Sequence, residues 1–369
     1  MDDALSISHN EDGTYDVGVH ITDVSYFVKP NTALDRDARK RATSVYLVQR
    51  AVPMLPPTLS EQLCSLVPGH DRLSLSVIFT LTKEAKVVKK WFGKTVIRSS
   101  AKLSYENVQD VIDGKILGGV PVAPEHEAAD IAHDIKILHE LASELHTQRF
   151  EQGALSLDSL RLSFKLNENG LPEDCWQRER TDANQLVEEV GYYFISICFI
   201  FIIWTQFMLL CNIAVAQHIA VHLPEQALLR RHDTPIERRL VSLLALKFDY
   251  LLLTSEQNAL AERAERLGYN VDISSAGTMM RSFNTIQDPT ARRLLQLLSF
   301  KATNRAKYFC AGMLDIAKYG HYALNTPLYT HFTSPIRRYA DLLIHRQLDS
   351  IIQGGGKLVL LSSLFSLAH

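Results

Sequence analysis

Residues Tyr329–Leu348 read YTHFTSPIRRYADLLIHRQL. This stretch decides the reading of the chain, because it sets two arginines just past a Ser-Pro pair and then runs into apolar residues at helical spacing. Ser334 is a natural N-cap, and Pro335 fits a first helical turn, where its missing N–H costs nothing. The pattern predicts an amphipathic helix with Arg337 and Arg338 in its first turn, where free backbone N–H groups and the positive end of the dipole favour an anion. Such a pair suits a phosphate. Taken alone, two arginines at a helix start also read as solvated charges or as partners of nearby acids.

The chain opens MDDALSI (Met1–Ile7) and soon reaches VGVHITDVSYFV (Val17–Val28). Adjacent carboxylates before an alternating strand have the character of hard-metal ligands, although an acidic terminal tail has the same composition. Between these motifs and the arginine pair lies RATSVYLVQRAVPMLPPTLSEQLCSL (Arg41–Leu66). There Tyr46, flanked by Val45, Leu47 and Val48, reads on its own as a core tyrosine.

In this order, DDALSI, VGVHITDVSYFV, the Arg41–Leu66 stretch and HFTSPIRRY closely resemble the RNB family of exoribonucleases, relatives of ribonuclease II and ribonuclease R. The wording is most similar to the eukaryotic cytoplasmic, exosome-independent branch, and fungal RNA-binding relatives that have lost nuclease activity are also similar. The resemblance implies an α+β RNB catalytic domain over residues 1–353 that hydrolyses single-stranded RNA or mRNA from the 3′ end to nucleoside 5′-monophosphates with magnesium. The alternative it leaves open is a catalytically inactive RNB-type mRNA-binding protein.

Residue by residue, Asp2 and Asp3 match the last two aspartates of the family's metal-binding motif, and are expected to be catalytic metal ligands. The first two aspartates of that motif would precede Met1, so the expectation is a domain truncated at its N-terminus, without the OB-fold domains that flank it in relatives. Arg337 matches the arginine that holds the scissile phosphate, with Arg338 as a helper. Tyr46 matches the aromatic clamp that stacks on the terminal base, and Glu189 a glutamate near the ribose. The resemblance also implies a monomer in the cytoplasm, with mRNA-processing bodies as one place for it, no membrane and no small-molecule cofactor.

Composition agrees. A chain of 369 residues, 46% hydrophobic and 22% charged, can bury a substantial core. Its net charge of −2 requires any nucleic-acid site to be a local basic lining. Candidate linings are Arg36–Arg41, Lys83–Lys102, and Arg230-Arg231 with Arg238-Arg239. Five cysteines without a CxxC pair argue against a structural zinc site and fit a reducing compartment. His20, His331 and His345 are assigned structural roles.

Ser6–Val28 is predicted to form a hairpin turning at Asp12-Gly13, with Tyr15, Val17 and Val19 on one face. Further strands are expected at Leu73–Thr82 and Lys94–Ala101, a long helix from Glu125 to Phe150, and a strand pair over Gly153–Leu166 with a turn at Asn169-Gly170. From Asp182 onward the pattern turns helical. Strands first and helices later make an α+β arrangement around one core.

Two segments interrupt the helical half. Val190–Gln206, VGYYFISICFIFIIWTQ, splits LVEE from FMLLCNIAVAQHIAVHL, and Val241–Gln257 splits PIERRL from NALAERAERLGY. Each is 17 residues long, or 51 nucleotides, and begins with a Val codon (GT) and ends at Gln, which CAG can encode. Both therefore read as introns translated in frame. The first has two other readings, a buried core helix and a membrane span over Tyr192–Leu210. The tail 354–369 reads as aberrant.

Overall fold

The computed structural model describes residues 1–154, 162–166, 172–177, 199–234, 269–272, 275–302 and 304–354. Its first half is a four-stranded antiparallel sheet in the order β1-β2-β5-β6, formed by β1 (Asp3–His9), β2 (Tyr15–Thr22), β5 (Asp71–Leu81) and β6 (Val87–Arg98). The β1–β2 turn falls at Asp12-Gly13, with Gly13 at φ 82°, a left-handed conformation that glycine adopts without steric cost. Two short helices, α1 (Val24–Phe27) and α2 (Ala33–Arg41), follow β2, and a ribbon of β3 (Val45–Tyr46) and β4 (Ala51–Val52) leads to β5. Asp23 caps α1 and Thr32 caps α2 through their side chains.

β2 is buried on both faces. Val17, Val19 and Ile21 line one face, while Gly18, His20 and Thr22 line the other. The helices α3 (Tyr105–Ile112) and α4 (Ala128–Glu151) pack with α5 (Phe199–His222), which in turn packs on β2. A hairpin of β7 (Leu162–Leu166) and β8 (Pro172–Gln177), the pair β9 (Leu228–Arg231) with β10 (Lys307–Cys310), and α6 (Ala276–Thr285) and α7 (Pro289–Ala302) precede the last helix, α8 (Tyr339–Ile352).

The α+β class is as expected, and several boundaries shift. β6 starts at Val87, seven residues before the expected Lys94, because it pairs with all of β5. β7 pairs with Pro172–Gln177 and not within Gly153–Leu166; the expected turn residues Asn169-Gly170 lie outside the described residues. The expected single core is a main cluster plus a smaller one of Val271, Ala276, Met279, Phe283, Ile286 and Leu295. Gly277 and Gly153 approach closely, so that a side-chain carbon on Gly277 would come within 2.8 Å of the Gly153 Cα.

The decisive stretch differs from its reading in two ways. Arg337 and Arg338 precede the helix, which begins at Tyr339. Ser334–Arg337 form a tight turn in which the Ser334 carbonyl accepts from Arg337 N at 3.2 Å and Arg338 N at 3.1 Å. Arg338 then bridges to Thr43, and Tyr339 N donates to Ala42 O at 2.8 Å, so backbone needed to start the helix earlier is already spent on another segment. The helix is also buried on every side from Tyr339 to Leu348 and is not amphipathic in its setting.

Its buried polar residues each find at least one partner, while Asp341 Oδ2, His345 Nδ1, Arg346 Nε and Arg346 Nη1 have none among the described residues. His345 Nε2 bonds the Phe332 carbonyl at 2.8 Å. Arg346 Nη2 donates to Val28 O and to Asp35 Oδ1, both at 2.7 Å, and Gln347 Nε2 donates to Gln226 O at 2.7 Å. The Tyr339 hydroxyl donates to the same Asp35 oxygen at 3.0 Å.

Of the two interrupting segments, 190–198 and 241–257 lie outside the described residues, as do Arg238, Arg239 and 355–369. Phe199–Gln206, expected to project from or distort the helix at Phe207, instead continues it without a break, with Ile203 and Gln206 buried. Among the described residues one helical stretch, Ile203–His222, is long and apolar enough to cross a membrane by length and composition, and 56% of its most apolar 18-residue window is packed inside the protein.

Candidate active site

The N-terminal strand and the Ser334–Arg338 turn meet at one place. Asp2 is fixed by its carbonyl, which accepts from Thr22 N at 2.9 Å, and Asp3 opens β1 opposite Ile21. The positive charge of Arg337 acts on both carboxylates. Burial pushes the Asp2 carboxyl up to about 6, against the pull of the chain's amino group and Arg337. Asp3 is pushed up to about 7 by burial and by the charge of Asp2, opposed by a hydrogen bond from Trp204. Asp2 Oδ2 is buried and has no hydrogen-bond partner among the described residues. Two carboxylates forced together and away from water form a place where a cation would be favoured.

Arg337 is half-buried, and its backbone is held from the opposite side. Its carbonyl accepts from Ser44 N and from Thr43 Oγ1, both at 2.9 Å. That fastening sets the β3–β4 ribbon beside the turn. Tyr46, two residues beyond Ser44, is 43% exposed, so it is a surface ring and not the core tyrosine its neighbours suggest. Val45 and Leu47 are exposed with it.

Arg338 is placed differently from its neighbour. Its side chain is only 13% exposed, and Nη2 donates to Asp341 Oδ1 at 2.8 Å, an oxygen that also accepts from Ser334 N at 2.8 Å. Asp341 thus ties the turn to α8. Glu189 lies outside the described residues.

Behind the turn, His331 Nε2 accepts from Arg230 Nη1, which leaves Nδ1–H to donate to the Tyr308 hydroxyl. Burial and the nearby charges of Arg338 and Arg230 hold His331 well below its usual pKa, hence neutral. Its ring meets those of Tyr308 and Tyr329 edge-on. The structural roles assigned to His20 and His345 fit their burial and their hydrogen bonds.

Several contributors were not identified in the sequence. Thr43 and Ser44 lie in a motif quoted for its resemblance, but their contacts are with a carbonyl that leaves no sequence signal. Asp341 stands three residues after Arg338, a spacing at which helical ion pairs form, and could have been found from it. Within the candidate basic linings some cations are ion-paired: Arg41 pairs with Asp37 at 2.9 Å, Arg98 with Asp71 at 2.8 Å, Arg231 with Asp233 at 2.7 Å, and Lys94 with Asp349 at 2.7 Å.

Among the described residues no group of three or more His, Cys, Asp or Glu side chains is set to hold a metal ion. The Asp2–Asp3 pair still fits a magnesium-type ion, which is commonly held by one or two carboxylates together with waters and substrate phosphate oxygens. Asp2 Oδ2, without a partner among the described residues, is an oxygen suited to serve as such a ligand.

The RNB domain matches residues 1–354. The chain is 44% identical to DIS3-like exonuclease 2 of Xenopus tropicalis over 96% of this chain and 40% of that protein. Among solved structures it is similar to yeast Ssd1, described as a pseudonuclease, with a TM-score of 0.71, 28% identity, and 96% of this chain against 38% of that one. Mycoplasma genitalium RNase R has the same fold, with a TM-score of 0.79 at 20% identity, covering all of this chain and 51% of that one. The chain spans 31–40% of the length of three curated relatives. With the match running from Met1 to Gly354, the chain belongs to the RNB domain family.

Proposed function

We propose that this chain is the catalytic domain of a 3′→5′ exoribonuclease that hydrolyses single-stranded RNA to nucleoside 5′-monophosphates with magnesium, in the cytoplasm and as a monomer. The observation that carries the reading is the pair of crowded carboxylates, Asp2 and Asp3, under the charge of Arg337. Magnesium bound there would supply an activated water and charge neutralisation at the phosphate. Arg337 grips the scissile phosphate through its planar guanidinium, which strengthens its hold as charge builds on the phosphate oxygens. Tyr46 offers an exposed ring for the terminal base, a contact that tolerates any base. Arg338, held by Asp341, contributes to RNA binding through its field and by fixing the turn. Glu189 is assigned to the ribose by resemblance alone. DIS3-like exonuclease 2, by its name an exonuclease, supports the activity.

A second reading, an RNB domain that holds mRNA without cutting it, draws on the likeness to the Ssd1 pseudonuclease. Manganese, a spectroscopic substitute for magnesium, tests the metal site directly. Binding followed by electron paramagnetic resonance should weaken about tenfold or more in Asp3→Asn with the fold retained. Unchanged manganese affinity in both Asp2→Asn and Asp3→Asn would remove the metal site from the account.

A further inference from the structure

A third arginine stands behind the Ser334–Arg338 turn, on β9. The segment leading into the turn runs alongside that strand: Arg230 N donates to Tyr329 O at 2.8 Å, and Thr330 Oγ1 donates to Leu228 O at 2.8 Å. This pairing carries Arg230 up to His331, three residues before Ser334. Two neutral groups hold the guanidinium there. Its Nη1 donates to His331 Nε2, and its central carbon lies 5.7 Å from the centre of the Tyr308 ring.

His331 is arranged to accept. Its Nδ1–H donates to the Tyr308 hydroxyl, and burial keeps the ring neutral, with its remaining lone pair turned to Arg230. A carboxylate at this position would hold the guanidinium more tightly but offset its charge, whereas an imidazole orients it and leaves the charge in place. Arg230 is half-buried, and the charges of Arg230, Arg337 and Arg338 all act on this one ring. Guanidiniums gathered in this way repel one another, and a polyanion laid across them relieves the repulsion. Of the arginines, Arg337 acts most strongly on Asp2 and Asp3, so Arg230 stands beside the carboxylate site and not within it.

We infer that Arg230 binds a second, non-scissile phosphate of the RNA, and that His331 is the positioning residue that aims it. The inference rests on the proposed reading of the turn as an RNA site, and adds to it a contact that serves affinity more than turnover.

The test is binding of a short 5′-labelled single-stranded RNA to the chain without divalent metal, followed by fluorescence anisotropy over a range of salt, so that no hydrolysis intervenes. Arg230→Gln should weaken binding about tenfold and lower the slope of log affinity against log salt by about 0.7, the share of one phosphate contact on a single strand. His331→Leu should reproduce that loss and add nothing to it in an Arg230→Gln background. His331→Gln should bind near the parent level, because its amide oxygen can accept from Arg230 while its NH2 donates to Tyr308. A merely structural histidine would lower the thermal midpoint in both variants and leave the salt slope unchanged. Affinity and slope unchanged in Arg230→Gln overturn the phosphate contact, and additive losses from His331→Leu and Arg230→Gln overturn the positioning role. If His331→Leu fails to fold, Arg230→Lys decides. Lysine keeps the charge but has no planar fork to be aimed, so a loss of affinity supports the positioning role and parent-like affinity overturns it. A chain that binds no RNA at all removes the proposed function and this inference with it, whereas RNA binding indifferent to Arg230 removes this inference alone.

Discussion

The Thr43 hydroxyl donates to the Arg337 carbonyl at 2.9 Å, across 294 residues of sequence. Ser44 N donates to the same carbonyl at 2.9 Å, so the ribbon bearing Tyr46 and the turn bearing Arg337 form one unit. Thr43→Val removes one of the two bonds and should lower stability by about 0.5–1 kcal/mol, the lower part of the usual range because Thr43 is exposed. Urea unfolding reads this directly. No change in midpoint would mean that the ribbon is held by Ser44 alone.

Arg337 and Tyr46 are assigned different tasks, and their substitutions should separate. Arg337→Ala should reduce turnover far more than RNA affinity, by about 2–4 kcal/mol of transition-state stabilisation. Tyr46→Ala should weaken the hold on the last nucleotides and change the length of the limit product, with a smaller loss of rate. Equal, slight effects from both would refute the division of roles.

The sheet and the long helices were legible because their signals are periodic: alternating apolar residues in β2, Asp12-Gly13 at the turn, and Ile135, Leu138 and Leu141 recurring along α4. The start of α8 was not. Ser334-Pro335 is a good local start signal, but the bridge from Arg338 to Thr43 is a tertiary contact that outweighs it. The site was legible as a set of motifs, Asp2-Asp3 and Arg337, and illegible in its supports. Asp341 beneath Arg338 and Trp204 against Asp3 depend on the fold's juxtaposition of distant segments. Tyr46 is matched to the aromatic clamp by resemblance, while its apolar neighbours alone suggest a core tyrosine; its exposure follows from a two-residue ribbon too short to bury either face.

His20 should make folding sensitive to acid. Its ring is buried between the Ser6 hydroxyl at 2.8 Å and the Ser76 hydroxyl at 2.7 Å, and burial pulls its pKa down to about 4 from its ordinary 6.5. The folded protein refuses a proton that the unfolded chain accepts, so this contribution is complete above about pH 6.5 and is lost as the pH falls toward 4. The loss is at most roughly 3 kcal/mol over that window. His20→Gln, which cannot titrate, should be less stable at pH 7, with the gap to the parent protein narrowing by pH 4.5. A gap that stays constant with pH would show that His20 is not responsible.

The most direct test follows a 5′-labelled single-stranded RNA with magnesium present, using the domain in a protein of the length of its curated relatives. The account predicts fragments that shorten steadily from the 3′ end, release of nucleoside 5′-monophosphates, and loss of both in Asp3→Asn while RNA binding persists. RNA that is bound but remains intact at every magnesium and manganese concentration would contradict the account and identify the domain as a pseudonuclease.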